Sequence, residues 1–320
     1  MGETTMIDVV ALGELLIDFA AKSTDAAGYP TMAANPGGAP GNFLAALNAY
    51  GRKTAFLGKV GNDAFGHLLL GTLNAAGIVT KGIVVDDSVF TTLAFVTFDE
   101  SGDRSFSFAR KPGADTQLSW KEIDKSLIDE ARVFHFGTLS LTDEPVRTAT
   151  QKAVAYAKEH GKLITCDPNL RLPLWHNEEA AKEQMLWSLH QADVVKISDN
   201  EVEFLWNCTP EEGAEKLLTE FGVGLAMVTL GPDGCLLKTK NASFRAACPK
   251  VHPIDTTGAG DIFGGSAVSR LLELEKPIDA LTEADLAYIG CFAATAASLS
   301  TEASGGIPSI PEKEAVLKAM

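Results

Sequence analysis

The sequence has no long apolar run. The stretch from 7 to 21 is interrupted by Asp8, Glu14 and Asp18, and no segment reaches the roughly eighteen uninterrupted apolar residues of a membrane span. The first residues also lack the basic segment that precedes the apolar core of a secretory signal. We therefore expect a cytoplasmic protein with neither a membrane span nor a signal peptide.

Cysteine and histidine are also scarce. The five cysteines are an odd number with no Cys-x-x-Cys pair, and the six histidines show no metal-ligand spacing. These patterns favour reduced thiols and argue against a disulfide framework or a zinc site. A chain of 320 residues is long enough for two domains or for one large α/β domain.

Basic residues are outnumbered. Lys and Arg number 27 against 42 Asp and Glu, which gives a net charge of −15. Nucleic acids and anionic membranes bind basic surfaces, so we expect neither as a partner. A small anionic ligand is still compatible with this charge, because oriented backbone N–H groups can hold a phosphate in an acidic protein.

Several catalytic motifs are missing. The sequence contains no G-x-x-x-x-G-K-[ST] phosphate loop, and the HExxH, GxSxG and protein-kinase HRD patterns are absent. The loop that begins at Gly258 misses G-x-G-x-x-G by one position, and the first predicted strand is followed by Gly13-Glu14-Leu15. A nicotinamide-dependent oxidoreductase, which needs that fingerprint after its first strand, is thus only a remote alternative.

Short apolar runs alternate with stretches of helical spacing. Runs begin at Val133, Leu163, Val194 and Leu225, about thirty residues apart, which is the length of one βαβ unit. The intervening stretches 144–160, 178–190 and 210–221 have helical spacing and charged faces. Together with an N-terminal run at 6–12, this rhythm predicts an α/β fold, a doubly wound, mostly parallel sheet flanked by helices.

One segment departs from that rhythm. The runs 93–98 and 104–110 flank a turn-rich stretch at 99–103, which predicts a β-hairpin that forms a small lid. The alternative is an antiparallel edge of the main sheet. Phe106 and Phe108 share one face of the second arm and could press on a substrate, pack lid against lid or belong to the core.

A glycine-rich loop at 255–261 precedes a helical pattern. Small residues there let backbone N–H groups point at a ligand, and the start of a helix favours negative charge. Asp261 would then lie where it could take a proton from a nucleophile beside a bound anion. The alternative is that Asp261 only balances the helix dipole.

A second glycine-rich stretch, 35–42, also precedes a helical pattern. Its glycines permit close approach of the backbone to a ligand, and Asn42 offers both a donor and an acceptor. The alternative is a plain turn in which Asn42 caps the helix.

Taken together, Gly37–Gly61 and Asp255–Val268 resemble the two signatures of the ribokinase (PfkB) family of carbohydrate kinases, and the resemblance extends over essentially the whole chain. The stretches 93–97, 108–115 and 167–175 are most similar to the fructose-phosphorylating members. The chain departs from them at Gly41, where Ala is common, and at Ala109, where a bulkier residue is frequent.

The resemblance implies an ATP-dependent sugar kinase with a ribokinase-like fold, one domain over 1–320 and lid segments at roughly 15–36 and 88–112. The expected reaction is phosphorylation of a primary hydroxyl, that of D-fructose to give fructose 6-phosphate, with ATP, Mg²⁺ and K⁺ and a homodimer formed through the lid. A kinase of 2-keto-3-deoxygluconate, ribose or a nucleoside is the alternative. A non-catalytic sugar-binding protein would lack a base in the anion loop.

Carried over by resemblance, the site residues fall into four groups. The catalytic base and the anion hole are Asp261, Gly258, Ala259 and Gly260. The sugar contacts, with Arg110 or Arg171 as possible phosphate contacts, are Asp18, Gly37, Gly38, Asn42, Arg110 and Arg171. The nucleotide and Mg²⁺ side comprises Lys196, Asn200, Glu203, Thr229, Gly231 and Gly234, where Asn200 and Glu203 match an N-x-x-E element, or alternatively a helix cap, and 229–234 also matches a hairpin turn. The K⁺ site comprises Asp255, Thr257, Ser300, Ala303, Gly305 and Ser309.

Overall fold

A computed structural model describes residues 6–98 and 104–320, without the side chains of 96–98 and 104–106. The predicted hairpin turn at 99–103 and the side chain of Phe106 lie outside the described residues. Over the described chain the strands are β1 (Ile7–Leu12), β2 (Leu16–Thr24), β3 (Pro30–Gly37), β4 (Thr54–Gly61), β5 (Val79–Asp86), β6 (Thr92–Phe98), β7 (Arg104–Ala109), β8 (Ala131–Gly137), β9 (Leu163–Asp167), β10 (Val194–Ser198), β11 (Leu225–Thr229), β12 (Cys235–Lys238) and β13 (Ser243–Ala246).

The helices of the described residues alternate with these strands. They are α1 (Ala39–Ala49), α2 (Ala64–Ala75), α3 (Lys125–Glu130), α4 (Val146–Glu159), α5 (Glu178–Leu189), α6 (Asp199–Trp206), α7 (Pro210–Thr219), α8 (Ala259–Leu274), α9 (Glu283–Ser300) and α10 (Lys313–Ala319). None of the helices over the described residues has the length and apolar character that a membrane crossing needs.

The main sheet has nine strands in the order β13-β12-β11-β10-β9-β8-β1-β4-β5. Every neighbouring pair from β11 to β5 is parallel, and only the β11–β12 and β12–β13 pairs are antiparallel. The strands predicted at 133, 163, 194 and 225 all lie in this sheet. The predicted fold class, a doubly wound and mostly parallel sheet, is therefore confirmed.

Helices cover both faces of the main sheet. Alternate residues of β1 show this directly, since Val10 and Leu12 pack into one apolar core while Val9 and Ala11 pack into another. All four side chains are fully buried. This two-sided burial explains why the strands are nearly continuous apolar runs.

The predicted hairpin belongs to a second, four-stranded sheet with the order β3-β2-β6-β7. Its β6–β7 pair is antiparallel and its β2–β6 pair is parallel, so the alternative of an edge of the main sheet is wrong. Phe19 of β2 stacks on Phe95 of β6 and meets Phe65 of α2 edge-on, with ring centroids 5.3 and 5.4 Å apart. These contacts fix one face of the second sheet against the body.

Candidate active site

The predicted site residues gather where the parallel strands end and α8 begins. Gly258 precedes α8 with a φ of 77°, a left-handed conformation that glycine adopts without strain. A Cβ at this position would lie 2.9 Å from the Cα of Gly306 and 3.1 Å from Asn42 Nδ2. The N–H groups of Gly260 and Asp261 in the first turn have no intrahelical partner, so they can bind an anion.

Asn42 holds the Asp261 carboxylate. Its Nδ2 donates to Asp261 Oδ2 at 2.9 Å, which leaves the other carboxylate oxygen to accept a proton. Burial raises the pKa of Asp261, and the hydrogen bond from Asn42 and the charges of Lys196 and Arg171 oppose that rise. Asn42 Oδ1 is buried beside Gly306 and has no hydrogen-bond partner among the described residues.

Asp18 of β2 faces the same space. Gly37 lies beside it, and a Cβ on Gly37 would come within 2.2 Å of Asp18 Oδ2, so a larger residue there would displace the Asp18 carboxylate. Burial raises the pKa of Asp18 to about 6, because the charge of Arg171 only partly offsets burial and the nearby carboxylates of Asp261 and Asp255. The structure thus brings together carboxylates from β2, from α8 and from the segment before α8.

Glu14, which the sequence reasoning did not select, supports the glycine loop before α1. Its Oε1 accepts the N–H of Ala39 at 2.9 Å, which is the first residue of α1. Gly38 has a φ of 114°, and a Cβ there would lie 2.5 Å from the backbone O of Glu14. Burial raises the pKa of Glu14 to about 7, although its own backbone N–H, that of Ala39 and the charge of Arg110 oppose this.

Arg110 lies at the base of the second sheet. Its Nε donates to Asp115 Oδ2 at 2.8 Å, and its terminal nitrogens donate to Thr142 Oγ1 and to the carbonyl O of Leu139, each at 2.8 Å. Thr92 at the start of β6 also donates to Asp115. The guanidinium expected to touch the sugar therefore directs these donors into the protein, where it ties the ends of β6 and β7 to the body.

Arg171 lies in the loop after β9 and is exposed. It donates from Nη1 to the carbonyl O of Leu170 at 2.9 Å. Its charge opposes the rise in pKa that burial causes at both Asp18 and Asp261, so Arg171 lies near the two carboxylates. An exposed cation in this position can reach a ligand that enters the space.

A buried ion pair lies beneath the start of α8. Lys196 Nζ lies 3.0 Å from Asp167 Oδ2, and both side chains are at most one-tenth exposed. A Cβ on Gly260 would lie 3.1 Å from the same Nζ. Burial raises the pKa of Asp167 against the effect of the ammonium, and the carboxylates of Glu201 and Asp261 add to the rise.

Asn200 and Glu203 are exposed near the start of α6, which begins directly after β10. The residue that turns inward is Glu201, which is 6% exposed. Its Oε2 accepts the N–H of Ser198 at 2.8 Å in a capping box, and its Oε1 accepts the N–H of Leu170 at 2.7 Å. The capping box fixes the rotation of α6, so the side chain at position 201 faces inward. The Ser-x-x-Glu spacing of Ser198 and Glu201 is the sequence signal for this cap.

The other positions expected on the nucleotide side lie between β11 and β12. Thr229 ends β11, Gly231 and Gly234 have φ values of 55° and 96°, and a Cβ on Gly234 would lie 1.9 Å from the backbone O of Ala246. Glycine is thus required for a tight connection at the edge that holds Lys196.

The residues expected around K⁺ lie in two joined segments. Asp255 Oδ1 accepts the N–H and the hydroxyl of Thr257 at 3.0 and 2.7 Å, and its Oδ2 accepts the N–H of Gly305 at 3.0 Å. The N–H of Ala303 donates to the backbone O of Ser300, and the hydroxyl of Ser309 donates to the backbone O of Gly306. Asp255 therefore joins the loop before α8 to the loop after α9.

Comparison with known proteins identifies relatives over the full length. The family model described as "pfkB family carbohydrate kinase" matches residues 6–313. The curated Solanum lycopersicum protein named Fructokinase-2 is 41% identical over 307 residues, which cover 95% of this chain and 93% of that protein.

Two solved structures show the same fold. The Xylella fastidiosa fructokinase with bound ATP has a TM-score of 0.89 at 29% identity and covers 97% of each chain. A double mutant of the Vibrio cholerae O395 fructokinase, in a form that binds fructose, ADP and a potassium ion, has a TM-score of 0.85 at 30% identity and covers 98% of each chain.

Proposed function

The chain belongs to the pfkB family of carbohydrate kinases, and from this membership we propose that it transfers the γ-phosphoryl group of ATP to the 6-hydroxyl of D-fructose. The fructokinases among its relatives support the substrate. The observation that carries the proposal is the Asp261 carboxylate, held by Asn42 at the first turn of α8 and facing Asp18 across the same space. This arrangement offers a base, an anion site and a sugar-binding carboxylate in one place.

The sugar would bind between the second sheet and α1. The carboxylate of Asp18 can accept hydrogen bonds from sugar hydroxyls, and the amide of Asn42 would contact the sugar beside it. Gly37 and Gly38 end β3 and precede α1, and they would present their backbone to the ligand. Arg171 would contact the sugar or a phosphate from the exposed side.

Phosphoryl transfer then depends on position and charge. The 6-hydroxyl oxygen attacks the γ-phosphorus, the bond between that phosphorus and the β–γ bridging oxygen breaks, and the hydroxyl proton passes to Asp261. The N–H groups at Gly258–Asp261 stabilise the phosphoryl oxygens during transfer. The products are fructose 6-phosphate and ADP, with the proton released later from Asp261.

Among the described residues, this site offers few side chains for direct coordination of Mg²⁺. Across the described residues no three His, Cys, Asp or Glu side chains form a metal site, which is typical of Mg²⁺ held mainly by nucleotide phosphates and water. Asn200 and Glu203, exposed near the start of α6, are the residues that would hold it through that water. When bound, Mg²⁺ would neutralise phosphate charge.

A K⁺ ion between the two segments joined by Asp255 is part of the proposal. Backbone carbonyls of Thr257, Ser300, Ala303 and Gly305, with oxygens of Asp255 and Ser309, suit a hard cation. The potassium-bound Vibrio cholerae relative supports this assignment. We expect activity to fall when K⁺ is replaced by tetramethylammonium at equal ionic strength; unchanged activity would remove the cation from the proposal.

We further propose that residues 1–320 form one kinase domain in which the second sheet acts as a lid. Its strands fall within or close to 15–36 and 88–112, and a closed lid would exclude water that could accept the phosphoryl group. A homodimer formed through this sheet belongs to the proposal. Light scattering at micromolar concentration should give twice the mass of the chain, and a monomer would contradict it.

A coupled assay of ADP release tests the function directly. The protein with Mg²⁺, K⁺ and ATP is given fructose, 2-keto-3-deoxygluconate, ribose or a nucleoside, and fructose should give the highest kcat/KM. A higher kcat/KM with another sugar would replace fructose as the proposed substrate and would leave the proposed reaction class unchanged. No transfer to any of them would overturn the kinase proposal.

A further inference from the structure

Lys196 reaches the start of α8 from below. In β10 it lies on the same face as Val194, which packs with Phe263 of α8 in one apolar core. From there the side chain extends towards the first turn, where its Nζ would meet a Cβ on Gly260 at 3.1 Å. The residue is 9% exposed, so the ammonium is nearly out of contact with water.

An ammonium at this point is unfavourable without a partner. Burial removes its hydration, and the start of a helix carries partial positive charge that repels a cation. Asp167 compensates at 3.0 Å and is its one hydrogen-bond partner among the described residues. Although burial lowers the pKa of Lys196, the charges of Asp167, Glu201 and Asp261 more than offset this and keep it protonated.

The protein thus keeps a buried ammonium beside the first turn of α8, where its charge would stabilise a bound anion. Asp167 takes one of three N–H donors, and the other two are available on the side of Gly260. The carboxylate of Asp167 is itself oriented by the N–H of Asn169 at 3.1 Å, so the position of the ammonium is defined.

We propose that Lys196 is a catalytic residue whose ammonium neutralises negative charge on the phosphoryl group during its transfer. Asp167 is the residue that positions this ammonium. This rests on the proposed kinase function and goes beyond the nucleotide contact that the family resemblance implies for Lys196. Lys196 transfers no proton, because the hydroxyl proton goes to Asp261. Its N–H groups hydrogen-bond to the phosphoryl oxygens while the bond to the bridging oxygen breaks.

The kinetic test is Lys196→Gln with fructose and ATP. A charge that acts mainly in the transition state lowers kcat by about 10²- to 10³-fold while the KM for ATP changes little. A raised KM with kcat retained would mean uniform nucleotide binding and would overturn the proposal. So would a kcat within about tenfold of the unsubstituted protein.

A binding test is independent of which sugar is the substrate. Calorimetry in the presence of Mg²⁺ compares the affinity for ADP with and without aluminium fluoride, an analogue of the phosphoryl group in the transition state of its transfer. Aluminium fluoride should tighten ADP binding by about a hundredfold or more in the unsubstituted protein and by less than about tenfold in Lys196→Gln. If the unsubstituted protein phosphorylates no sugar and still shows this difference, the proposed function fails and the role of Lys196 stands. Equal tightening in both proteins, or none in either, overturns it.

Two further variants separate charge from folding. Lys196→Gln leaves Asp167 buried without its partner, so the double variant Lys196→Gln/Asp167→Asn removes both charges and should fold while showing the same loss of kcat and of tightening. Lys59 is a matched control, because it is 4% exposed and lies 3.1 Å from Asp86 and 2.6 Å from Glu122, away from α8. Lys59→Gln should lower the melting temperature without lowering kcat. A loss of kcat in Lys59→Gln as large as in Lys196→Gln would overturn the proposal.

Discussion

Replacing Asp261 by Asn keeps the size of the side chain and an acceptor for Asn42 but removes its capacity to take a proton. We expect kcat to fall about 10²- to 10⁴-fold, as for loss of a general base, with the affinity for ATP retained. Steady-state kinetics with fructose, together with a thermal melt, measure both.

Asp285 offers the matched control, because it lies in the first turn of α9 as Asp261 lies in that of α8. Its carboxylate accepts the N–H of Thr282 and pairs with Lys276, so Asp285→Asn should lower stability and leave kcat unchanged. A folded Asp261→Asn protein that keeps more than about a tenth of kcat would reduce Asp261 to a dipole-balancing residue.

Glu14 gives a pH prediction with a defined sign. Burial raises its pKa from 4.5 to about 7 while Arg110 opposes and Asp115 adds to the rise, so the folded state holds the proton more tightly. Its contribution to stability is present below pH 4.5 and is lost as the pH rises towards 7. Glu14→Gln keeps an acceptor for Ala39 and removes this titration, so the variant should gain up to about 3 kcal/mol relative to the unsubstituted protein between pH 5 and pH 8.

Urea unfolding of both proteins at pH 5 and pH 8 measures this gain. Glu122 is the control of opposite kind: although partial burial raises its pKa, hydrogen bonds from Lys59 and Ser119 lower it overall. Its stabilising effect is lost only below its ordinary pKa, so Glu122→Gln should show the same stability difference at pH 5 and pH 8. A pH-independent difference for Glu14→Gln would contradict the raised pKa.

Side chains whose position depends on helix rotation or on distant segments are the hardest to predict from the sequence. Asp261 could be selected from its own loop, because the chemistry lies in neighbouring residues. Glu201 could be selected only from the capping-box spacing of Ser198 and Glu201, because that cap decides which face of α6 turns inward. Glu14 was missed because its partner Ala39 is brought to it only by the fold.

At the scale of elements, the buried strands of the main sheet were predictable because burial on both faces makes each a short apolar run. From residue patterns, the second sheet was predictable only in its β6–β7 hairpin, and the lid segment at 15–36 came from the family resemblance. The parallel pairing of β2 with β6 joins segments from distant parts of the chain, and no local pattern signals it.

Gly41 in the first turn of α1 is an element-level prediction, since fructose-phosphorylating relatives commonly carry Ala there. A Cβ would lie 3.6 Å from Leu15 Cδ1, 3.7 Å from Leu73 Cδ2 and 3.9 Å from Phe56 Cε2, all ordinary packing distances. Gly41→Ala should therefore stabilise the protein by about 0.4–1 kcal/mol, chiefly through the unfolded chain. Urea denaturation measures the change.

Gly265 in α8 provides the contrast. A Cβ there would lie 2.4 Å from the backbone O of Phe43 and 2.9 Å from Ala46 Cβ, where α1 and α8 pack together. Gly265→Ala should destabilise by about 1–3 kcal/mol because the helices would have to separate. If both substitutions change stability in the same direction, the space at Gly41 is not as described.

At the scale of the whole molecule, the chain crosses between the two sheets four times, and one buried polar cluster touches each crossing. Glu14 lies between β1 and β2 and binds Ala39 after β3, while Thr92 enters β6 and Arg110 follows β7. Asp115 receives hydrogen bonds from both Thr92 and Arg110, and the charge of Arg110 acts on Glu14. The position of the second sheet, and of Asp18 within it, therefore depends on a few charged groups at its base.

Breaking the Arg110–Asp115 pair tests that dependence. Arg110→Met or Asp115→Leu alone leaves a buried charge without its partner, and each should destabilise by about 3–5 kcal/mol and raise the KM for the sugar more than the KM for ATP. The double variant removes both charges and should recover much of the stability and of the sugar KM. Unfolding free energies and both KM values for the four proteins form the cycle. A double variant that is stable but still has a sugar KM raised more than about tenfold would show that Arg110 contacts the sugar directly, because only the guanidinium would then be missing.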